Sequence, residues 1–337
     1  MKLTIEQIRA AACGAVYITE EEAGVLLHRF TKEQERIYSE TSFREKSYST
    51  PCVQLVFRTD SEYLILDTDV KPGSGRRYFG FDIEADGVLL GSLDNYSDLE
   101  LPEDYTVVKG PLGQFCKRFA LGEGEKTVRI HFPFSAAPYL REISLADGSS
   151  FVPVKREKKI LMFGDSITHG YDALNPSRSY ASRLADMLGM EAFNKGIGGE
   201  RFFPPLAGAV EEFVPDIITV AYGTNDWSGC TAEEFIRNCT AFYNTLSKNY
   251  PDTPIYAVTP IWRADCEQPR KAGTFFKADE WITAITAPLP NVRLIHGFEL
   301  VPHDRKLFAD LRLHPTDEGF RYYAENLYRA IRAYGDI

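Results

Sequence analysis

Phe163-Gly164-Asp165-Ser166-Ile167-Thr168 is the stretch on which the reading of the chain turns. Lys159 to Phe163 is a short apolar run, the pattern of a buried strand. Gly164 allows a turn, and Ser166 stands where a helix can begin. A serine at a strand-turn-helix junction is pushed out at the sheet edge, among backbone N–H groups without intrahelical acceptors. Taken alone, the stretch fits an ordinary helix N-cap at Asp165 or Ser166 equally well. Other segments decide between the two.

Downstream of Ser166, strands and helices alternate. A helix is expected at Tyr180 to Leu188 and a short strand at Glu191 to Asn194. A further helix follows around Leu206 to Phe213, and Asp216 to Tyr222 is the clearest buried strand. Thr231 and Glu234 form a capping box that opens a helix with Phe235, Cys239, Phe242 and Leu246 on one face. Pro254 to Thr259 and Val292 to His296 supply two more strands, and the last helix runs from Asp317 to about Ala333. Such alternation predicts a parallel sheet covered by helices, with ligands beyond the carboxyl ends of its strands.

Upstream, from about Cys13 to Val154, short strands are separated by turns. Val53 to Phe57 and Tyr63 to Leu66 flank Thr59-Asp60-Ser61-Glu62, which reads as a hairpin. Tyr78 to Ile83 and Val88 to Leu90 flank Glu84-Ala85-Asp86-Gly87, a second one. Tyr105 to Val108, Thr127 to Phe132 and Leu140 to Leu145 continue the pattern of a β-sandwich or jelly roll. Gly122-Glu123-Gly124-Glu125-Lys126-Thr127 and Gly73-Ser74-Gly75 lack phosphate-loop and dinucleotide spacing and read as turns. The charged, proline-marked segment Val152 to Lys159 is the expected boundary, giving a β-sandwich domain over 1–154 and an α/β domain over 155–337.

Composition narrows the function. The chain has 337 residues, 44% of them hydrophobic, and a formal net charge of −10. With a pI near 5.2, nucleic acid and anionic membranes are not expected partners. No apolar run nears the roughly 20 residues that span a bilayer. The N-terminus lacks a secretory signal pattern, so a cytoplasmic location is expected. Six cysteines form no C-x-x-C pair and no zinc pattern with a histidine, so buried free thiols are expected and no metal.

The polar residues that fall just after predicted strands collect at one sheet edge. They are Ser166, the loop Asn194 to Glu200, Gly223-Thr224-Asn225-Asp226 and, before the final helix, His314-Pro315. Acyl transfer needs a nucleophile, a base and donors aimed at a developing oxyanion. Ser166 and His314 meet the first two needs. The N–H groups of Ser166 and Gly199 and the Asn225 amide meet the third.

These four segments in this order resemble the blocks of the SGNH (GDSL-type) hydrolases, over roughly Lys158 to Tyr334. The resemblance implies a flavodoxin-like five-stranded parallel sheet, with Ser166 as nucleophile, His314 as base, Gly199 and Asn225 as oxyanion donors, and no cofactor. One block departs from the family pattern, which places an aspartate three residues before the histidine. That position is Leu311, and Asp310 lies one residue further back. A longer loop would bring Asp310 to the imidazole; otherwise a Ser-His dyad is implied.

A β-sandwich ahead of such a domain is similar to two-domain carbohydrate esterases, implying a serine esterase that deacetylates an O-acetylated carbohydrate. A lipase or thioesterase for longer acyl chains, an acyltransferase and a non-catalytic glycan-binding protein are the alternatives. Trp227, Trp262 and Arg263 follow strands at the expected edge, as a platform for a sugar ring, a wall for an acyl pocket or plain packing. The expected partner is a small-molecule or oligosaccharide ester; oligomeric state is not legible.

Overall fold

The computed structural model describes residues 1–337. Its C-terminal half is built on five parallel strands in the order Glu191–Asn194, Lys159–Gly164, Ile217–Ala221, Ile255–Val258 and Val292–Ile295. Because successive side chains of a strand point to opposite faces, Leu161 and Phe163 enter one core and Ile160 and Met162 the other. Helix Ala232–Asn249 covers the first face with Phe235, Cys239, Phe242 and Leu246. Helices Tyr180–Leu188 and Asp317–Tyr334 cover the second, where the Tyr180 and Tyr323 rings stack at 4.2 Å. This is the expected five-stranded parallel sheet covered by helices.

Two antiparallel sheets make up most of the N-terminal half. One has the strand order Tyr17–Glu21, Gly24–His28, Ala136–Leu145, Tyr63–Pro72 and Gly113–Ala120. The other runs Ala12–Cys13, Gln54–Thr59, Lys126–His131, Gly80–Ala85 and Val88–Asp94, with Val152–Pro153 added beside Gln54–Thr59. Leu55, Phe57, Leu64, Leu66, Ile83, Ile130 and Ile143 fill the space between them. Three short helices, Ile5–Ala11, Lys32–Tyr38 and Arg44–Ser47, accompany the sheets. No helix of the chain is long and apolar enough to cross a membrane.

Four local expectations need correction. Gln54–Thr59 and Tyr63–Pro72 lie in different sheets, so Thr59-Asp60-Ser61-Glu62 is a crossing and not a hairpin turn. Both strands bury their apolar faces in the same core, and the pattern of alternation cannot tell facing sheets from paired strands. Tyr105–Val107 is a short 3₁₀ turn, capped by Asp104, because the Tyr105 hydroxyl is drawn to the Asp172 carbonyl at 2.7 Å. The helix expected near Leu206 spans only Pro204–Gly208. The hairpin at Asp86-Gly87 holds, with φ of 48° and 79° at the two turn residues, the left-handed pair that a two-residue hairpin loop favours. Cys116 is exposed, unlike the other five thiols.

Candidate active site

Strand Lys159–Gly164, second in the sheet order, delivers Ser166 to the sheet edge. Gly164 ends that strand, and a Cβ there would lie 2.9 Å from the Ala221 carbonyl oxygen and closer still to the Thr168 side chain, so only glycine fits. Asp165 is the N-cap of the short helix Ser166–His169, its Oδ1 accepting the Ile167 N–H at 3.0 Å. Burial pushes the Asp165 carboxyl up to about 6, against the opposing pull of the Ile167 N–H, His314 and Arg263. With the cap supplied by Asp165, the Ser166 hydroxyl is free for another partner. That partner is His314, whose Nε2 lies 2.9 Å from Ser166 Oγ.

His314 precedes the final helix, which Thr316 caps. Its Nδ1 lies 2.9 Å from Asp310 Oδ2. The other oxygen of Asp310 accepts the N–H groups of Arg312, Leu313 and His314 at 3.0, 2.6 and 3.1 Å. Burial alone would raise this carboxyl; the His314 hydrogen bond and charge and the backbone donors outweigh it and hold it well below the carboxylate range. The extra residue between aspartate and histidine is absorbed by Leu311, which takes a left-handed φ of 54° that is uncommon for a residue with a bulky side chain. The structure therefore brings Ser166, His314 and Asp310 into one hydrogen-bonded line.

Three groups were expected as oxyanion donors. Ser166 opens its helix, where an N–H has no intrahelical acceptor. Gly199 has φ 86°, which a side chain would strain. Asn225 Nδ2 gives one hydrogen to the Glu200 carbonyl at 2.9 Å, leaving the second for a ligand. The glycine loop is pinned from several sides. His169 Nδ1 accepts the Gly198 N–H at 3.1 Å, Lys46 Nζ donates to the Gly198 carbonyl at 2.5 Å, and Tyr171 lies so close that a Cβ on Gly198 would meet its ring at 2.4 Å. Burial holds His169 well below its ordinary range, so the ring is neutral and able to accept.

Of the three readings for Trp227, Trp262 and Arg263, the structure favours packing for Trp227 and Arg263. Trp227 is completely buried, edge-on to Phe275, with its Nε1–H on the Gly273 carbonyl and the Arg263 and Arg270 guanidinium groups over its ring. No face is left for a sugar. Arg263 is 4% exposed and committed to Asp265 and the Thr224 hydroxyl. Trp262 stacks on His303 with ring centroids 5.3 Å apart. Packing accounts for Trp227 and Arg263.

Several neighbours of the line were not read from the sequence. Asp172, Arg76 and Tyr78 lie behind His314, and Lys46 and His169 hold the glycine loop. Arg76, Tyr78 and Lys46 belong to the other half of the chain, about 90 residues or more from the blocks they touch, and no spacing rule connects them. No group of three or more His, Cys, Asp or Glu side chains is placed to hold a metal.

Residues 162–322 match the model of the GDSL-like Lipase/Acylhydrolase family. They form a GDSL-like lipase/acylhydrolase domain. Solved structures extend the likeness to the β-rich half. A salicylyl-acyltransferase from a tetracycline biosynthetic pathway is similar with a TM-score of 0.79 at 20% identity, over 96% of this chain and 94% of that one. A family two carbohydrate esterase from Clostridium thermocellum, solved with cellohexaose, gives 0.64 at 17% identity, over 86% and 94%. An acetyl xylan esterase from Butyrivibrio proteoclasticus gives 0.57 at 16%, over 85% and 90%. Identities this low show a shared fold. No curated protein matches the chain in sequence.

Proposed function

We propose that this GDSL-like acylhydrolase is a serine esterase working through an acyl-enzyme, with Ser166, His314 and Asp310 as its triad. The observation that carries the reading is the line Ser166 Oγ, His314 Nε2, His314 Nδ1, Asp310 Oδ2, with both polar contacts at 2.9 Å. In the first step Ser166 Oγ attacks the ester carbonyl while His314 Nε2 takes its proton. The oxyanion of the tetrahedral intermediate is met by the N–H groups of Ser166 and Gly199 and by Asn225 Nδ2. Collapse expels the alcohol, which leaves with the proton from His314. Water, deprotonated by His314, then releases the acid and restores Ser166. Asp310 fixes the imidazole tautomer and balances the charge of the imidazolium.

O-acetylated carbohydrate is the proposed substrate. Its support is the family two carbohydrate esterase and acetyl xylan esterase structures, which share the two-part arrangement across most of this chain. Acetate release from a panel of acetylated oligosaccharides tests it. A sharp fall in rate on p-nitrophenyl esters longer than acetate agrees with the proposal, and a preference for long chains favours a lipase instead. A second reading, transfer of the acyl group to an alcohol, is favoured by the likeness to the acyltransferase over 96% of this chain. Partition of the acyl-enzyme between water and an added sugar hydroxyl separates the two.

A further inference from the structure

The turn Gly73-Ser74-Gly75-Arg76-Arg77 has no part in the reaction proposed above, yet it reaches the proposed base. The Gly75 N–H donates to the Tyr171 hydroxyl oxygen at 3.3 Å, and the Tyr171 ring lies 5.8 Å from that of His314. Arg76 Nε and Nη2 donate to Asp172 Oδ1 and Oδ2 at 2.6 and 2.7 Å. The Tyr78 hydroxyl also donates to Asp172 Oδ1. Asp172 is completely buried, and its backbone has a left-handed φ of 74°. Its Oδ2 lies 3.3 Å from His314 Nδ1, the nitrogen that Asp310 meets at 2.9 Å. Two carboxylates thus converge on the same ring nitrogen.

Two bare carboxylates so close would repel, and burial would deepen the cost. Here they are treated differently. Asp310 takes backbone N–H donors and the imidazole, whereas Asp172 takes a two-pronged guanidinium bond, the planar match that arginine offers a carboxylate. We propose that Arg76 and Tyr78 hold Asp172 as a second, charge-balanced acceptor at His314 Nδ1, so that the N-terminal half positions the base. Asp172 and Arg76 are positioning residues in this scheme, acting through His314. The inference deepens the serine esterase reading and rests on it for its meaning in catalysis.

Every charged group around the ring enters the expected signs. Asp310 faces it from its own loop, Asp172 from the segment after Ser166, and Arg76 and Tyr78 stand behind Asp172. Asp165 lies below, at the foot of Ser166. Asp172→Asn removes a negative charge and leaves the Arg76 cation uncompensated, which disfavours the imidazolium. Arg76→Gln does the reverse by unmasking Asp172. Arg76→Lys keeps the charge but loses the fork.

The test is the protonation midpoint of His314, read by NMR in the full chain and assigned from the signal lost in His314→Gln. It is paired with the acid limb of kcat/KM on p-nitrophenyl acetate. Asp172→Asn should move the midpoint down and Arg76→Gln up, each by about one pH unit, the scale of a charge change at this distance. Arg76→Lys should hold the midpoint while kcat falls with KM little changed. An unmoved midpoint in Asp172→Asn, or movement of both variants in one direction, overturns the proposal. Should Arg76→Gln fail to fold by thermal melting, the Asp172→Asn and Arg76→Lys results decide. Failure of the esterase reading would show separately, as no labelling of Ser166 by a fluorophosphonate, and the NMR midpoints still report on the contact.

Discussion

Asp310 illustrates what a single side chain can settle. It caps its own loop through three backbone N–H groups and turns its other oxygen to His314. In another serine hydrolase the aspartate alone is worth about 10⁴-fold in kcat, against about 10⁶ for the serine or histidine. Asp310→Ala should therefore lower kcat by about 10²–10⁴-fold and stop short of Ser166→Ala, as steady-state kinetics will read. The lower end is included because Asp172 stays in place behind the ring. A change of only a few-fold would remove Asp310 from the triad. Asn225→Ala should cost about 3–4 kcal/mol of transition-state stabilisation, the scale of one lost oxyanion donor. That loss should fall on kcat and not on KM. That Ser166 and His314 would meet was legible in the sequence, because each sits in a block just beyond a predicted strand or before the final helix. The contact of Asp310 with His314 was not legible, since the left-handed turn at Leu311 that permits it has no sequence signature in a leucine.

Elements of the two halves were legible to different degrees, for a physical reason. In the parallel sheet each strand is a short apolar run and each helix carries its own 3.6-residue stripe, so both register and face are local properties. In the antiparallel half, Gln54–Thr59 and Tyr63–Pro72 look like partners but lie in facing sheets. Their neighbours, Lys126–His131 and Ala136–Leu145, are some 70 residues away, and short-range pattern carries no such information. The helix Arg44–Ser47 adds a contact of the same long-range kind. Its Lys46 ammonium bonds the Gly198 carbonyl, which belongs to the same peptide unit as the Gly199 N–H. A cation on the oxygen of a peptide polarises its N–H and fixes the direction in which it points. Lys46→Met should lower kcat by about 10-fold with KM little changed, consistent with about 1.4 kcal/mol of lost donor strength. Lys46→Arg should recover part of it, and equal losses in both variants would speak for a steric effect only.

At the scale of the whole molecule, buried acids tie stability to pH. Glu200 is buried, and burial pushes its carboxyl from the ordinary 4.5 up to about 8, despite hydrogen bonds from the Tyr222 and Tyr38 hydroxyls. Between those values the unfolded chain has released its proton while the folded chain keeps it. The unfolded state then binds fewer protons, so stability falls as pH rises through this window and is level on either side. Glu200→Gln removes that component. The stability of the wild type relative to the variant should decline from pH 5 to pH 8 in equilibrium denaturation, and a constant difference would show that Glu200 ionises normally in the fold.

Phe30 and Tyr38, from the β-rich half, lie in the same apolar cluster as Leu161, Phe163 and Val220, while Cys52 joins the cluster on the opposite side of the parallel sheet. Arg29, fully buried, reaches across to the Asn194 carbonyl at 2.8 Å. Such a seam makes the two parts poor candidates for exchange as cassettes. A gene fragment encoding only the part that bears Ser166 and His314 would leave hydrocarbon bare to solvent on both flanks, inviting clumping during expression. Recombination that grafts this enzyme onto a new carrier would have to take the segment from Arg29 to Cys52 along with it.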